Sequence, residues 1–281
     1  SQPSGFLARF AQALGALTID AAGLVAGLVF AAALEFLPHE LWSIVAYPCV
    51  LTVRGMVSGV FCGRLSSALW LGTVRPSLLG NTEEFRTLYR AIMVLSGLSS
   101  LLMVGSIGLY GLLWGLKAAQ ALDMAAAVIT TMALAFVLAT PISALVAFTS
   151  FRRGLDPDVI TYPVGSTSSD IVVSACYVAT LALMAQGPLG RGLSYAVCTA
   201  FLAACALTAV VERRNAGFRK TLREAVVSSA AIAAISGGTG TLLGRMSTTI
   251  GLRPEVAMAY PAIIGTVGDV GSIVGCTATT K

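Results

Sequence analysis

The sequence predicts an all-α, polytopic transmembrane helical bundle, and three observations lead to this prediction. Hydrophobic residues make up 56% of the 281 positions, and charged residues make up only 11%. Soluble domains carry roughly 25% charged residues. Apolar runs of about 20 residues, the length that crosses a bilayer as a helix, recur along the chain. We therefore expect a multi-pass protein of the cell membrane with lipid around it, and neither an enzyme nor a nucleic-acid-binding protein.

Eight segments are predicted to span the bilayer. In chain order they are Leu17–Leu37, Leu41–Leu71, Ala91–Leu116, Met124–Phe151, Val159–Ala185, Leu193–Val211, Ala225–Leu243 and Val256–Lys281. The polar connection Gly72–Arg90 is expected to hold an amphipathic or interfacial segment. The shorter connection Lys117–Asp123 is expected to be a turn.

The basic residues of the loops predict the orientation of the chain. Under this assignment one side holds Arg9, Arg75, Arg86, Arg90, Arg152, Arg153, Arg213, Arg214, Arg219, Lys220 and Arg223. The opposite side holds Lys117, Arg191, Arg245 and Arg253. Because Lys and Arg accumulate in cytoplasmic loops, we expect a cytoplasmic N-terminus.

An internal repeat links the second span to the last one. Tyr47-Pro48 and the later Gly55 align without gaps on Tyr260-Pro261 and Gly268. Five spans precede one extra span that turns the chain back, so the two copies are expected to be parallel, a repeat arrangement found in transporters. The chain then divides into a five-helix unit at 1–186, a linking helix at 187–219, and the first two helices of a second repeat at 220–281.

Asp170 lies inside an otherwise apolar span, where it is the only charged residue between Asp158 and Arg191. An ionisable group at that depth is unfavourable unless a partner, water or an ion compensates it, which makes it a candidate functional residue. At a spacing of four, one helical face carries Tyr162, Ser166, Asp170 and Ser174. The alternative is that a hydroxyl or a basic group of a neighbouring helix satisfies the carboxylate.

Oxygen atoms around one carboxylate suit a hard divalent cation. Mg²⁺ prefers oxygen ligands, keeps much of its water and usually binds through one or two carboxylates. Because no Cys or His shares the polar face of Asp170, a soft-metal site is disfavoured. Mn²⁺ and Co²⁺ stay open as alternatives to Mg²⁺.

Two arginines, Arg54 and Arg64, fall deep inside the predicted second span. A charged side chain is unfavourable at that depth. We therefore expect each of them to form an ion pair between helices or to extend towards the lipid headgroups, in preference to a role in ion gating.

Three motifs resemble one known family. The first runs from Asp156 to Asp170 with the pattern Asp-Pro-Asp…Thr-x-Pro…Ser-x-Asp, the second is Tyr47–Gly72 with its Arg-Leu-Ser triplet, and the third is Tyr260–Gly275. They resemble the last helix, the second helix, and the repeated second helix of the MgtE magnesium channels and the related eukaryotic magnesium solute carriers. The resemblance implies divalent cation transport, most of all of Mg²⁺, through a pore between two equivalent units.

The resemblance also implies a set of metal ligands. Asp170 is the expected principal ligand, with oxygens of Ser166 and Thr161 beside it. The second repeat is expected to contribute Asp269, Gly265 and Thr266. A pore between equivalent units further implies a homodimer, or a pseudo-dimer with a second repeat.

The sequence departs from the family at Met56, where members usually carry Asn. Because a thioether is a poor ligand for a hard cation, a non-conducting or regulatory member of the family is the first alternative. A remote alternative is an intramembrane aspartyl protease that pairs Asp170 with Asp269. The sequence disfavours it, since it contains no Tyr-Asp pair and Asp269 lacks the first glycine of a Gly-x-Gly-Asp motif.

Overall fold

The fold is that of a computed structural model, which describes residues 22–36, 40–153, 157–246, 259–268 and 270. Regular structure in these ranges is entirely helical. The all-α prediction is therefore confirmed.

The helices of the described residues are numbered in chain order. They are α1 (Gly23–Phe36), α2 (Leu41–Trp70), α3 (Glu83–Gly111), α4 (Ala118–Arg152), α5 (Pro157–Ala185), α6 (Pro188–Val211), α7 (Ala216–Arg245) and α8 (Ala259–Gly268). Six of them, α2 to α7, are long and apolar enough to cross a membrane. These six match six of the eight predicted spans, whereas the first and the last predicted spans lie only partly within the described residues.

The start of α3 differs from the prediction. The helix begins at Glu83, so the polar residues up to Arg90 form its first two turns and not a separate interfacial segment. The side chain of Thr82 caps the helix by accepting from the backbone N–H of Phe85, and an acidic residue in the first turn stabilises the N-terminal end of the helix dipole. The predicted turn Lys117–Asp123 is also shorter than expected, because α4 begins at Ala118.

Small residues of α7 allow close packing against α2. Gly240 and Gly244 lie one turn apart and face Val45 on α2. A Cβ atom on Gly240 would overlap the carbonyl oxygen of Val45. The thiol of Cys49 donates to the carbonyl oxygen of Ser236 at 3.1 Å, so the two backbones approach each other at short range along this seam.

Polar contacts tie the helices together at the end where most basic residues lie. Nη1 of Arg90 on α3 lies 2.6 Å from Oε1 of the buried Glu212, just after α6. Asn215 caps α7 and also donates to Thr87 of α3 at 3.3 Å. These contacts fix the junction between α6 and α7 against α3.

An aromatic cluster joins α1, α2 and α5. The rings of Phe30 and Tyr47 stack with centroids 3.7 Å apart. The hydroxyl of Tyr177 on α5 donates to the carbonyl oxygen of Ser43 on α2 at 2.6 Å. All three aromatic side chains are fully buried, and they hold α5 in the position from which Asp170 faces its neighbours.

Candidate functional site

Asp170 lies near the middle of α5 and is buried, with 9% of its surface exposed. Ser166, one turn earlier, and Ser174, one turn later, are buried as well. From Ser166 to Ser174, the polar face that the spacing of four predicts therefore lies inside the bundle. An acidic side chain in this position is held away from both lipid and bulk water.

Tyr47 of α2 packs beside this polar face. Its hydroxyl donates to the carbonyl oxygen of Ala26 at 3.2 Å and lies 3.0 Å from Oγ of Ser174, from which it accepts. The Tyr-Pro motif of α2 thus lies one helical turn from Asp170.

The second copy of the motif reaches the same place. A Cβ atom on Gly265 of α8 would lie 3.9 Å from Oδ2 of Asp170. A Cβ atom on Gly23 of α1 would lie 3.2 Å from Cα of Ala262. Helix α8 therefore lies beside α1 and α5, and the structure brings Gly265 next to Asp170.

The structure describes the other predicted ligands only in part. Thr266 is half-buried, and its hydroxyl donates to the carbonyl oxygen of Ala262 on its own helix at 2.8 Å. The backbone of Thr161 belongs to α5, but its side chain lies outside the described residues, and Asp269 lies outside them altogether. The metal-ligand role of all six predicted residues stays a prediction.

Met56 faces α7. Its sulfur atom lies 3.8 Å from Oγ of Ser229, which donates mainly to the carbonyl oxygen of Ala225 at 2.8 Å. This contact engages Met56 in packing between α2 and α7.

The two arginines of α2, Arg54 and Arg64, differ from each other in their contacts. Arg64 forms an ion pair with Glu224 of α7, as expected. Arg54 does not extend to the headgroups, because only 1% of its surface is exposed. The headgroup expectation is therefore wrong for Arg54, whereas an ion pair between helices stays a prediction for it.

The guanidinium of Arg54 makes one hydrogen bond, in which Nη2 donates to Oγ1 of Thr140 at 2.8 Å. Nε and Nη1 are buried and have no partner among the described residues. Arg54 nevertheless lies at the level of Asp170, because Tyr47 contacts Ser174 on one side of the two residues and Cys62 lies beside Gly165 on the other. The sequence shows a single Arg within an apolar run, but it does not reveal this proximity.

The described residues contain no group of three His, Cys, Asp or Glu side chains that could hold a metal ion. Among the described residues, a site on Asp170 would therefore combine one carboxylate with hydroxyl groups, backbone carbonyls or water. Such a set suits a hard cation that keeps part of its hydration shell.

The comparison with protein families identifies one match. Residues 47–180 match the family MgtE, described as divalent cation transporter. The matched stretch runs from Tyr47 in α2 to Thr180 in α5 and includes both Arg54 and Asp170. Neither the comparison with curated proteins nor the comparison with solved structures found a match.

Proposed function

Residues 47–180 are a domain of the MgtE divalent cation transporter family, and on this premise we propose that the chain carries Mg²⁺ across the membrane at a site built on Asp170. The observation that carries the proposal is the burial of Asp170 in the middle of α5, facing α8 at Gly265. A carboxylate at such a depth is characteristic of ion pathways.

Glycine at position 265 leaves space beside the carboxylate. A larger side chain there would occupy the volume next to Oδ2 of Asp170, whereas the hydrogen atom of glycine leaves it to water or to an ion. Mg²⁺ gives up its water reluctantly, so a site with one or two carboxylates and space for water beside Gly265 favours a partly hydrated Mg²⁺. Mn²⁺ and Co²⁺ accept the same oxygen ligands and are expected to compete.

The remaining ligands are proposed from the two faces that meet at Asp170. On α5 they are Ser166, one turn before the carboxylate, and Thr161. On the second repeat they are Gly265 through its backbone, Thr266 and Asp269. Each would supply an oxygen atom of the kind that Mg²⁺ prefers.

The arrangement of the chain in the membrane is part of the proposal. The end of the bundle that holds Arg90, Arg152 and Arg214 carries most of the basic residues, which favours a cytoplasmic location for this end and for the N-terminus. The parallel repeat favours a pore between equivalent units, from two chains or from two repeats.

The test is Mg²⁺ uptake into proteoliposomes by the wild-type chain and by Asp170→Asn, which keeps the size of the side chain and removes its charge. Glu84→Gln is the matched control, because Glu84 is exposed in the first turn of α3. We expect uptake by the wild type and the control, inhibition by Mn²⁺ and Co²⁺, and loss of uptake in Asp170→Asn. Equal uptake by all three proteins would exclude Asp170 as the ion site.

A wild-type chain that binds Mg²⁺ without transporting it would instead identify a non-conducting member of the family. Equilibrium binding of Mg²⁺ to the same preparations separates this outcome from a chain that has no ion site.

A further inference from the structure

We infer that Arg54 is a tethered counter-cation of the ion site, which lowers the affinity of Asp170 for the transported cation and so speeds its release. The inference rests on the proposed function of Asp170. It concerns a residue to which the sequence assigned only a packing or headgroup role.

The first step is the burial of the charge. Arg54 is among the largest fully buried side chains of the described chain, and it lies on a helix that crosses the membrane. A guanidinium stays charged in proteins and is unfavourable in a membrane interior without a compensating negative charge. A buried positive charge in the interior of a cation transporter therefore requires a specific explanation.

The second step excludes a purely structural role. A guanidinium that only joins helices would be expected to place most of its five N–H groups on acceptors, because unpaired buried donors are unfavourable. Arg54 uses Nη2 for Thr140, while Nε and Nη1 have no partner in the described chain. Among the described residues, a single hydrogen bond therefore fixes the guanidinium group.

The third step is the position of the charge relative to the carboxylate. The contacts between α2 and α5 place the two groups at one level: Tyr47 contacts Ser174, Cys62 lies beside Gly165, and Arg54 and Asp170 lie between these two contacts on their helices. The buried carboxylates among the described residues are Asp170 and Glu212, and Glu212 pairs with Arg90. Asp170 is thus the negative charge that compensates Arg54 when no ion is bound.

A divalent cation that binds Asp170 is attracted by the carboxylate and repelled by Arg54. In a medium of low dielectric constant, charges separated by several ångströms change a binding free energy substantially. Transport needs binding that is strong enough to admit the ion and weak enough to release it. Arg54 weakens the binding of the cation and so favours its release, without any change in the ligands.

The test is equilibrium binding of Mg²⁺ and of Mn²⁺ to the full chain in detergent micelles. The variants are Arg54→Gln, which removes the charge, and Arg54→Lys, which keeps it. We expect the Kd of Arg54→Gln to fall about tenfold, whereas Arg54→Lys stays within about threefold of the wild type. In proteoliposomes Arg54→Gln should lower both the KM and the maximal rate of uptake, because release becomes slower.

A purely structural Arg54 would give a different result. Arg54→Gln would then lower the thermal stability and leave the Kd unchanged, which would overturn the inference. The double variant Arg54→Gln with Asp170→Asn should bind no more tightly than Asp170→Asn alone, since the effect acts through the carboxylate. A wild-type chain whose cation binding does not depend on Asp170 would contradict the proposed function instead, so the two failures are distinguishable.

Thr140→Val provides a second test if Arg54→Gln does not fold. It removes the hydroxyl that holds Nη2 and leaves the positive charge in place. The freed guanidinium should move towards Asp170 and raise the Kd by about threefold. An unchanged Kd in Thr140→Val would count against the inference.

Discussion

The hydroxyl of Tyr47 lies 3.0 Å from Oγ of Ser174, one helical turn beyond Asp170. The same hydroxyl donates to the carbonyl oxygen of Ala26. One phenol group therefore joins α1, α2 and α5 at the level of the candidate ion site, and the stability of this junction can be measured.

Tyr47→Phe removes both hydrogen bonds and keeps the stacked ring. Buried hydrogen bonds contribute about 1 kcal/mol each in proteins and somewhat less in membrane helices. We expect a fall of about 1 kcal/mol in the free energy of unfolding, seen as a lower Tm of the detergent-solubilised protein. Tyr110→Phe is the control, because the hydroxyl of Tyr110 has no hydrogen-bond partner among the described residues, and an equal fall in both variants would contradict the role of Tyr47.

Gly265→Ala places a methyl group in ordinary contact with Oδ2 of Asp170, at 3.9 Å. The helices need not move apart, but the methyl group fills space that a hydrated cation would use. We expect Mg²⁺ uptake to fall at least about fivefold while the Tm stays unchanged.

Gly268→Ala is the matched control for this change, since no heavy atom lies within 4 Å of the added Cβ position. Uptake by Gly268→Ala should equal that of the wild type. If both alanine variants transport alike, the space beside Asp170 is not part of the ion path.

Gly240→Ala tests the seam between α7 and α2. The added Cβ would overlap the carbonyl oxygen of Val45, and a backbone atom can be relieved only by separating the two helices. Overpacking of this kind destabilises by about 1–3 kcal/mol, so we expect poor yield of folded protein and a lower Tm. Gly238→Ala, whose nearest new contact is the hydroxyl of Tyr110 at 3.4 Å, should fold as the wild type does.

The pair of Arg90 and Glu212 is expected to stabilise the junction of α6 and α7. Glu212 is buried and Arg90 is 44% exposed in its side chain, so solvent screening limits the interaction to about 1 kcal/mol. A double-mutant cycle with Arg90→Gln and Glu212→Gln, read from thermal unfolding, should give a coupling of this size.

The exposed pair of Arg86 and Glu83 serves as the reference for that cycle. Its side chains are 59% and 66% exposed at a separation of 3.3 Å. The coupling free energy between Arg86 and Glu83 should be close to zero. Similar coupling free energies in the two cycles would mean that the burial of Glu212 does not strengthen its ion pair with Arg90.

Hydropathy was sufficient to predict the bundle, because a membrane span requires a long apolar run that few other elements contain. It misplaced the start of α3, because the polar residues Glu83 and Arg86 lie outside the apolar run that begins at Ala91. A capping threonine and the burial of Phe85 continue the helix beyond the apolar region. Helix boundaries outside the bilayer core depend on caps and tertiary contacts. The mean hydropathy of a segment contains no information about either.

Part of the candidate site was likewise predictable. Asp170 stands out in an apolar segment, and the repeated Tyr-Pro motif led to Gly265 before any coordinates. The position of Arg54 was not predictable, because an arginine in a span can extend to the headgroups or stay buried according to its neighbours. The hydroxyl of Thr140, on another helix, accepts from Nη2 of Arg54 and holds it inside the bundle.

Helix α6 buries few of its side chains within the bundle: Gly190, Ser194 and Cys205. Leu207 and Val210 are more than half exposed, as suits a surface that meets acyl chains. Evolution can therefore exchange apolar residues on this outer face with little effect on the rest of the molecule. The same face offers an attachment point for a fluorescent reporter, from which the surrounding lipid could be observed without disturbing α5.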